Sequence, residues 1–199
     1  MNNKFFTAKN VALLGVLIAL AVVLQIFASG ISIFGITMNF SLIPIALAGI
    51  MMGWIGGGII GLVCGLVVFI TAAVMGQEPA TSFLFQVNPA ILSLTCIGKT
   101  TVAGIVCGLL YKLISKKNEF IAVCVSAIVI PIINTGIYML GMVLMKGAVA
   151  QFLGLTQSSA GVVFTAVFGL IWINFLIEMA INVVFVPIIN RVMKVLNRK

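Results

Sequence analysis

A lysine at position 99 sits about ten residues into an apolar run, LFQVNPAILSLTCIGKTTVAG (84–104), where a buried ammonium needs a reason. An ionisable group at membrane depth is costly, and it normally faces a bundle interior and has a partner. Glu178 is the second such residue. It stands with Asn174 and Asn182 at steps of four in IWINFLIEMAINVVF, so all three share one helix face. Three roles for Lys99 follow: ligand to an anionic solute, ion pair with Glu178, or a chain that snorkels to the interface. Asn134 and Tyr138 share a face at i and i+4 in a run that also carries Pro131, and Trp172 stands beside Asn174. An amide, a phenol, an indole and an ammonium around one cavity would suit a small amphiphilic acid. Asn88-Pro89 reads as a capped helix start, asparagine at the cap and proline in the first turn. With Gln86 in the same mouth, that helix end would also suit an oxygen-rich ligand.

The elements that must position these residues follow from composition. The chain has 199 residues, 63% of them hydrophobic and 7% charged, with a mean hydropathy of +1.34. A soluble domain carries about 25% charged residues. We therefore expect an all-α integral membrane protein, one domain over 1–199. Six transmembrane helices are expected near 10–28, 41–55, 57–75, 89–111, 120–144 and 161–187. The first is expected to be a retained helix and not a cleaved signal. The passage GWIGGG (53–58) reads as a tight turn between the second and third spans.

Basic residues fix the expected topology. Nine of the eleven (Lys4, Lys9, Lys112, Lys116, Lys117, Arg191, Lys194, Arg198 and Lys199) flank apolar runs at the start, the middle and the end. An even number of spans places all three flanks on the cytoplasmic side of a cell membrane, with both termini inside. Lys146 then lies outside with Glu78, as do three longer loops near 29–40, 76–88 and 146–160. Trp54 is assigned to the cytoplasmic aromatic belt. The net charge of +8 is explained by this bias, so nucleic acid is not an expected partner.

Catalytic chemistry has no foothold. There are no histidines or aspartates and three glutamates, and no phosphate-binding loop, nucleophile elbow or metal-spaced cluster. The four cysteines, Cys64, Cys96, Cys107 and Cys124, fall in apolar runs and read as reduced thiols. No enzyme activity, metal or cofactor is expected. Any ATP-driven step would belong to another chain.

Two stripes of small residues remain. Ala8, Ala12, Gly15 and Ala19 stack on one face of the first helix; Gly57, Gly61 and Gly65 stack on the third. Small side chains let a second helix backbone approach closely. For the third helix the expected neighbour is within the bundle. For the first, packing in the bundle and docking on another protein both stay open.

Taken in order, the first-helix face (Ala12, Gly15, Ala19), ITMNFSLIPIALAG (36–49), GGGIIGLVCGLV (56–67), NPAILSLTCIGKTTVAGIVCGLLYK (88–112) and VIPIINTGIYMLG (129–141) resemble the substrate-binding S components of energy-coupling factor (ECF) vitamin transporters. The resemblance covers essentially the whole chain. It implies six helices and a vitamin held near the outer side by loops and helices four to six. It also implies that Ala12, Gly15 and Ala19 dock on a membrane coupling protein driven by two cytoplasmic ATPases. Gly15 stands where alanine is commoner in that family, which keeps the surface small. The expected ligand contacts are Asn39, Gln86, Asn88, Lys99, Asn134, Tyr138, Trp172 and Asn174, with Glu178 and Asn182 as structural polar residues. Pantothenate is the favoured ligand; lipoate, riboflavin and folate are alternatives. A stand-alone secondary transporter and a structural membrane subunit are readings from other classes.

Overall fold

The turn expected in GWIGGG occurs at its first residue. In the computed structural model, which describes residues 6–29, 32–33 and 36–196, Gly53 has φ +73°. Residues with a Cβ rarely adopt that conformation, so a glycine is needed there. Helix α1 is Ala8–Ser29, and α2 runs Leu42–Val68 with Gly53 breaking it into two arms. The arms fold back on each other: a Cβ built on Gly57 would lie 3.0 Å from the Cα of Gly49. A π-helical turn, Phe69–Val74, widens the end of the second arm. Then come α3 (Pro79–Val87), α4 (Pro89–Ile114), α5 (Glu119–Leu144), α6 (Lys146–Leu153) and α7 (Ala160–Leu196). The expected outer loop at 29–40 holds a small antiparallel pair, β1 (Ser32–Ile33) with β2 (Ile36–Thr37).

Five described helices are long and apolar enough to cross a membrane: Ala8–Ala28, Leu42–Val74, Pro89–Ile114, Glu119–Leu144 and Ala160–Arg191. The reversal at Gly53 makes two arms of the second, giving six arms that alternate in direction. The two expected spans at 41–55 and 57–75 thus form a hairpin turning at Gly53, a short first arm from Leu42 and a longer second arm to Val74.

Local chemistry explains the ends. Asn88 Oδ1 accepts from Ile91 N (3.1 Å) to cap α4, and Asn118 Oδ1 accepts from Ile121 N (3.0 Å) to cap α5. Gly154, at φ +64°, closes α6 in the left-handed conformation.

The glycine stripe of the second α2 arm packs on α4. Cβ atoms on Gly57 and Gly61 would stand 2.2 Å and 2.3 Å from the carbonyl oxygens of Gly104 and Thr100, so only hydrogen fits. Thr100 Oγ1 donates to the Gly61 carbonyl at 2.7 Å across the same contact. Lipid gives no hydrophobic drive for helix pairing, and close backbone packing supplies the attraction instead. The α1 stripe behaves differently. Leu17 and Ala21 are buried against the bundle, while Ala12, Gly15 and Ala19 are exposed on the opposite side.

Along α4, α5 and α7 the buried residues follow one order. Leu92 and Cys96, Met139 and Met142, and Val163 and Val167 belong to an apolar cluster towards the N-terminal end of α4. Ala103 and Cys107, Val123 and Ala127, and Val186 and Ile189 belong to a second one towards its C-terminal end. Between the two lies a polar layer. Among the described residues the cysteines are free thiols, three buried and Cys124 half-buried.

Candidate functional site

The polar layer encloses a cavity of about 50 Å³ to which most of the bundle contributes. From α4 comes Lys99, ~15 Å along the helix from Pro89 at 1.5 Å per residue. From α5 come Asn134, Thr135 and Tyr138, and from α7 come Asn174, Phe175 and Glu178. Helix α1 supplies Gln25, the stretch before α2 supplies Thr37 and Asn39, and Glu78 enters just ahead of α3.

Lys99 is the single cation among the lining residues. Its Nζ lies 4.9 Å from the Tyr138 ring centroid, within cation–π range. Among the described residues it forms no ion pair with either carboxylate of the cavity, so the pairing with Glu178 is absent. It is half-buried against the cavity.

The two carboxylates are committed to the 37–41 segment instead. Glu178 Oε1 accepts from the backbone N–H of Asn39 at 2.9 Å. Glu78 Oε1 accepts from the backbone N–H of Thr37 at 2.8 Å and also from the Thr37 hydroxyl. Its Oε2 accepts from Thr81 Oγ1 at 2.7 Å. Glu78, expected as an outer-surface charge across from Lys146, is therefore buried and tied to this segment, whereas Lys146 is exposed. Deeper on α7, Asn182 Nδ2 donates to the Glu178 carbonyl at 2.9 Å.

Amide groups complete the lining. Asn39 Oδ1 accepts from Ser41 Oγ at 2.5 Å. That separation suits an O–H donor and an oxygen acceptor, in keeping with the amide's Oδ1 facing Ser41. Asn39 Nδ2, Asn134 Oδ1 and Gln25 Oε1 are buried and have no hydrogen-bond partner among the described residues. Leaving such an atom unmet costs about 1–3 kcal/mol. A ligand oxygen facing Lys99 and Asn39, with a hydroxyl or amide N–H facing Gln25 and Asn134, would meet all of them. Among the described residues no group of three or more His, Cys, Asp or Glu could hold a metal ion.

Of the residues named from the sequence, Asn39, Lys99, Asn134, Tyr138 and Asn174 line this cavity, with Glu178 beside them. Gln86 is exposed on α3 and Asn88 is occupied in capping α4. Trp172 is 44% exposed and lies outside the cavity lining. Gln25, Thr37, Glu78 and Thr135 were not anticipated. A lone amide in the apolar run VVLQIFA was a usable signal for Gln25, but nothing local marked Thr37.

A second, apolar chamber of about 280 Å³ shares Tyr138 with the polar one. Leu84 of α3, Met142 of α5, Phe152 and Leu153 of α6, and Val167 and Leu170 of α7 surround it. The short helices α3 and α6 roof it, joined by Phe83 and Phe152 with ring centroids 5.5 Å apart.

Comparison with known proteins agrees with this architecture. A segment of 82 residues, 40% of this chain, is 35% identical to the pantothenic acid transporter PanT of Lactococcus lactis subsp. cremoris (strain MG1363). The match spans 41% of that relative's length. No solved structure matches. A family model described as "ECF transporter, substrate-specific component" matches residues 9–190. The chain therefore belongs to the family of substrate-specific components of ECF transporters.

Proposed function

We propose that this chain is the high-affinity membrane binding subunit for uptake of a small acidic vitamin, pantothenate, and that it works with a separate ATP-driven coupling module. One observation carries the ligand class. Among the described residues a single ammonium, Lys99, shares its cavity with three buried amides whose Asn39 Nδ2, Asn134 Oδ1 and Gln25 Oε1 atoms lack partners. Pantothenate offers a carboxylate for the ammonium, hydroxyls and an amide for the carboxamides, and a dimethyl group for the apolar chamber beyond Tyr138. The relative that is a pantothenic acid transporter supports the same choice. The chamber also favours a second reading, lipoate, whose carboxylate is joined to an apolar tail.

The exposed small-residue face of α1 (Ala12, Gly15, Ala19) supports docking on a membrane coupling protein that two cytoplasmic ATPases drive. The arms place Lys9, Lys112, Lys116, Lys117 and Arg191 towards one end of the bundle and Lys146 towards the other. By the positive-inside bias, the first end is cytoplasmic, with both termini inside the cell membrane.

Calorimetric titration of the purified protein with pantothenate, lipoate, riboflavin and folate tests the ligand. Pantothenate is expected to bind at submicromolar to micromolar Kd without ATP, within the range expected for a small ligand. Flat titrations across the panel would remove the proposal. Saturation by lipoate alone would select the second reading.

A further inference from the structure

The Thr37–Ser41 segment forms a wall of the polar cavity, yet it precedes α2 and lies largely outside regular structure. Side chains from distant parts of the chain hold it in place. Glu178, from the middle of α7, takes the Asn39 backbone N–H. Glu78 takes the Thr37 backbone N–H and hydroxyl while also holding Thr81 of α3. Ser41 donates to Asn39 Oδ1 and so turns the Nδ2 group away from itself. Asn39 is 6% exposed and lines the cavity, and its Nδ2 has no partner among the described residues.

We infer that Glu178, Glu78 and Ser41 are positioning residues, which hold the 37–41 segment so that Asn39 presents its Nδ2 hydrogens to a ligand carboxylate beside Lys99. The carboxylate ligand rests on the function proposed above; the anchoring itself does not. This explains why two glutamates border a cavity suited to an acid. Both oxygens of Glu78 and Oε1 of Glu178 accept from donors of the 37–41 segment and of Thr81, so these three are spent on holding the protein and not on the ligand. Charge-assisted hydrogen bonds of this kind are the stronger ones, suited to fixing a segment with no ladder of its own. Pre-setting the donor lowers the ordering cost that ligand capture would otherwise carry.

Two measurements test the inference on the full-length protein. The first is hydrogen–deuterium exchange of peptides covering residues 37–43 without ligand. Glu178→Leu should speed exchange there by roughly tenfold or more, the factor expected for losing a hydrogen bond to a charged group. Glu178→Gln, which keeps an acceptor oxygen, should stay near the parent protein. Unchanged exchange in Glu178→Leu would overturn the anchoring.

The second is the ratio of affinities for pantothenate and for pantothenol, its alcohol analogue. Glu178→Leu, Ser41→Ala and the isosteric Asn39→Asp should each lower the preference for the acid, Asn39→Asp the most. Equal weakening of both probes, leaving the ratio unchanged, would mean a merely structural role and would overturn the inference. If Glu178→Leu does not fold, Ser41→Ala and Asn39→Asp still decide it. If the parent protein binds neither probe, the function proposed above fails, while the exchange measurement still decides the anchoring.

Discussion

Replacing Lys99 with methionine removes the ammonium while keeping an unbranched chain of similar length. In the parent protein that charge faces the cavity, 4.9 Å from the Tyr138 ring centroid, and among the described residues it has no carboxylate partner. A ligand carboxylate reaching it gains a hydrogen bond to a charged group, about 1.5–3 kcal/mol. At 1.4 kcal/mol per factor of ten, Lys99→Met should weaken pantothenate binding roughly 10- to 150-fold. Pantothenol can offer the ammonium only a neutral oxygen, which puts its bond at the weak end of that range, about 1.5 kcal/mol, so it should lose roughly 10-fold. The preference for acid over alcohol should therefore fall, by up to roughly tenfold. Calorimetry with both ligands, in one detergent and at one salt concentration, reads these numbers directly. A thermal melt provides the control, because removing a charge from membrane depth should not lower Tm. A folded Lys99→Met protein that binds pantothenate within about twofold of the parent would refute the role of Lys99 as carboxylate ligand, since the expected loss is at least about tenfold. Equal losses for both ligands would refute the charge argument specifically.

Other substitutions separate packing, docking and binding. Gly15→Leu should leave pantothenate affinity unchanged and abolish uptake into cells, because no heavy atom outside the helix's own local backbone comes within 4 Å of a Cβ built there; radiolabelled uptake beside calorimetry checks both halves. Gly57→Ala should destabilise the protein by at least about 1–3 kcal/mol, the usual cost of overpacking, because its Cβ would stand 2.2 Å from the Gly104 carbonyl oxygen. A lower Tm in detergent would confirm it, and an unchanged Tm would count against the close α2–α4 contact. Asn182→Leu removes the 2.9 Å bond to the Glu178 carbonyl. That bond runs within α7 to the carbonyl one turn back, and a typical hydrogen bond is worth about 0.5–1.5 kcal/mol net, so a modest drop in Tm with the acid-to-alcohol preference intact is expected.

What could be read from the sequence divides along a physical line. Lys99, Asn134, Tyr138, Asn174 and Glu178 stood out because helical period and membrane depth are local properties, and both make a polar residue conspicuous. The carboxylate anchors did not. Glu178 meets Asn39 across 139 positions, and Glu78 meets Thr37 across 41, so neither contact leaves a local pattern. Glu78 even resembled an ordinary charge of an outer loop, across from Lys146. Four glycines fall within 53–58, and sequence alone did not say which one would turn the chain; only the φ of Gly53 does. The two small-residue stripes look alike in sequence but have opposite fates. The 57–65 stripe meets the α4 backbone, whereas α1 turns a different face, Leu17 and Ala21, towards the bundle.

That orientation of α1 bears on how binding and coupling could be separated in one small subunit. Gln25 lies one turn beyond Ala21 on the buried side of α1 and reaches the polar cavity. Ala12, Gly15 and Ala19 occupy the opposite side, one and a half to nearly four turns towards the other end of the helix, at 3.6 residues per turn. A bulky side chain at position 15 therefore points away from the polar layer, and neither Lys99 nor the anchored 37–41 segment has to move to admit it. One helix can thus close the candidate site on one side and offer a smooth surface to a partner on the other. The same division sets the limits of mutational interference: changes on the small-residue face should register in transport, and changes at Gln25 in ligand affinity.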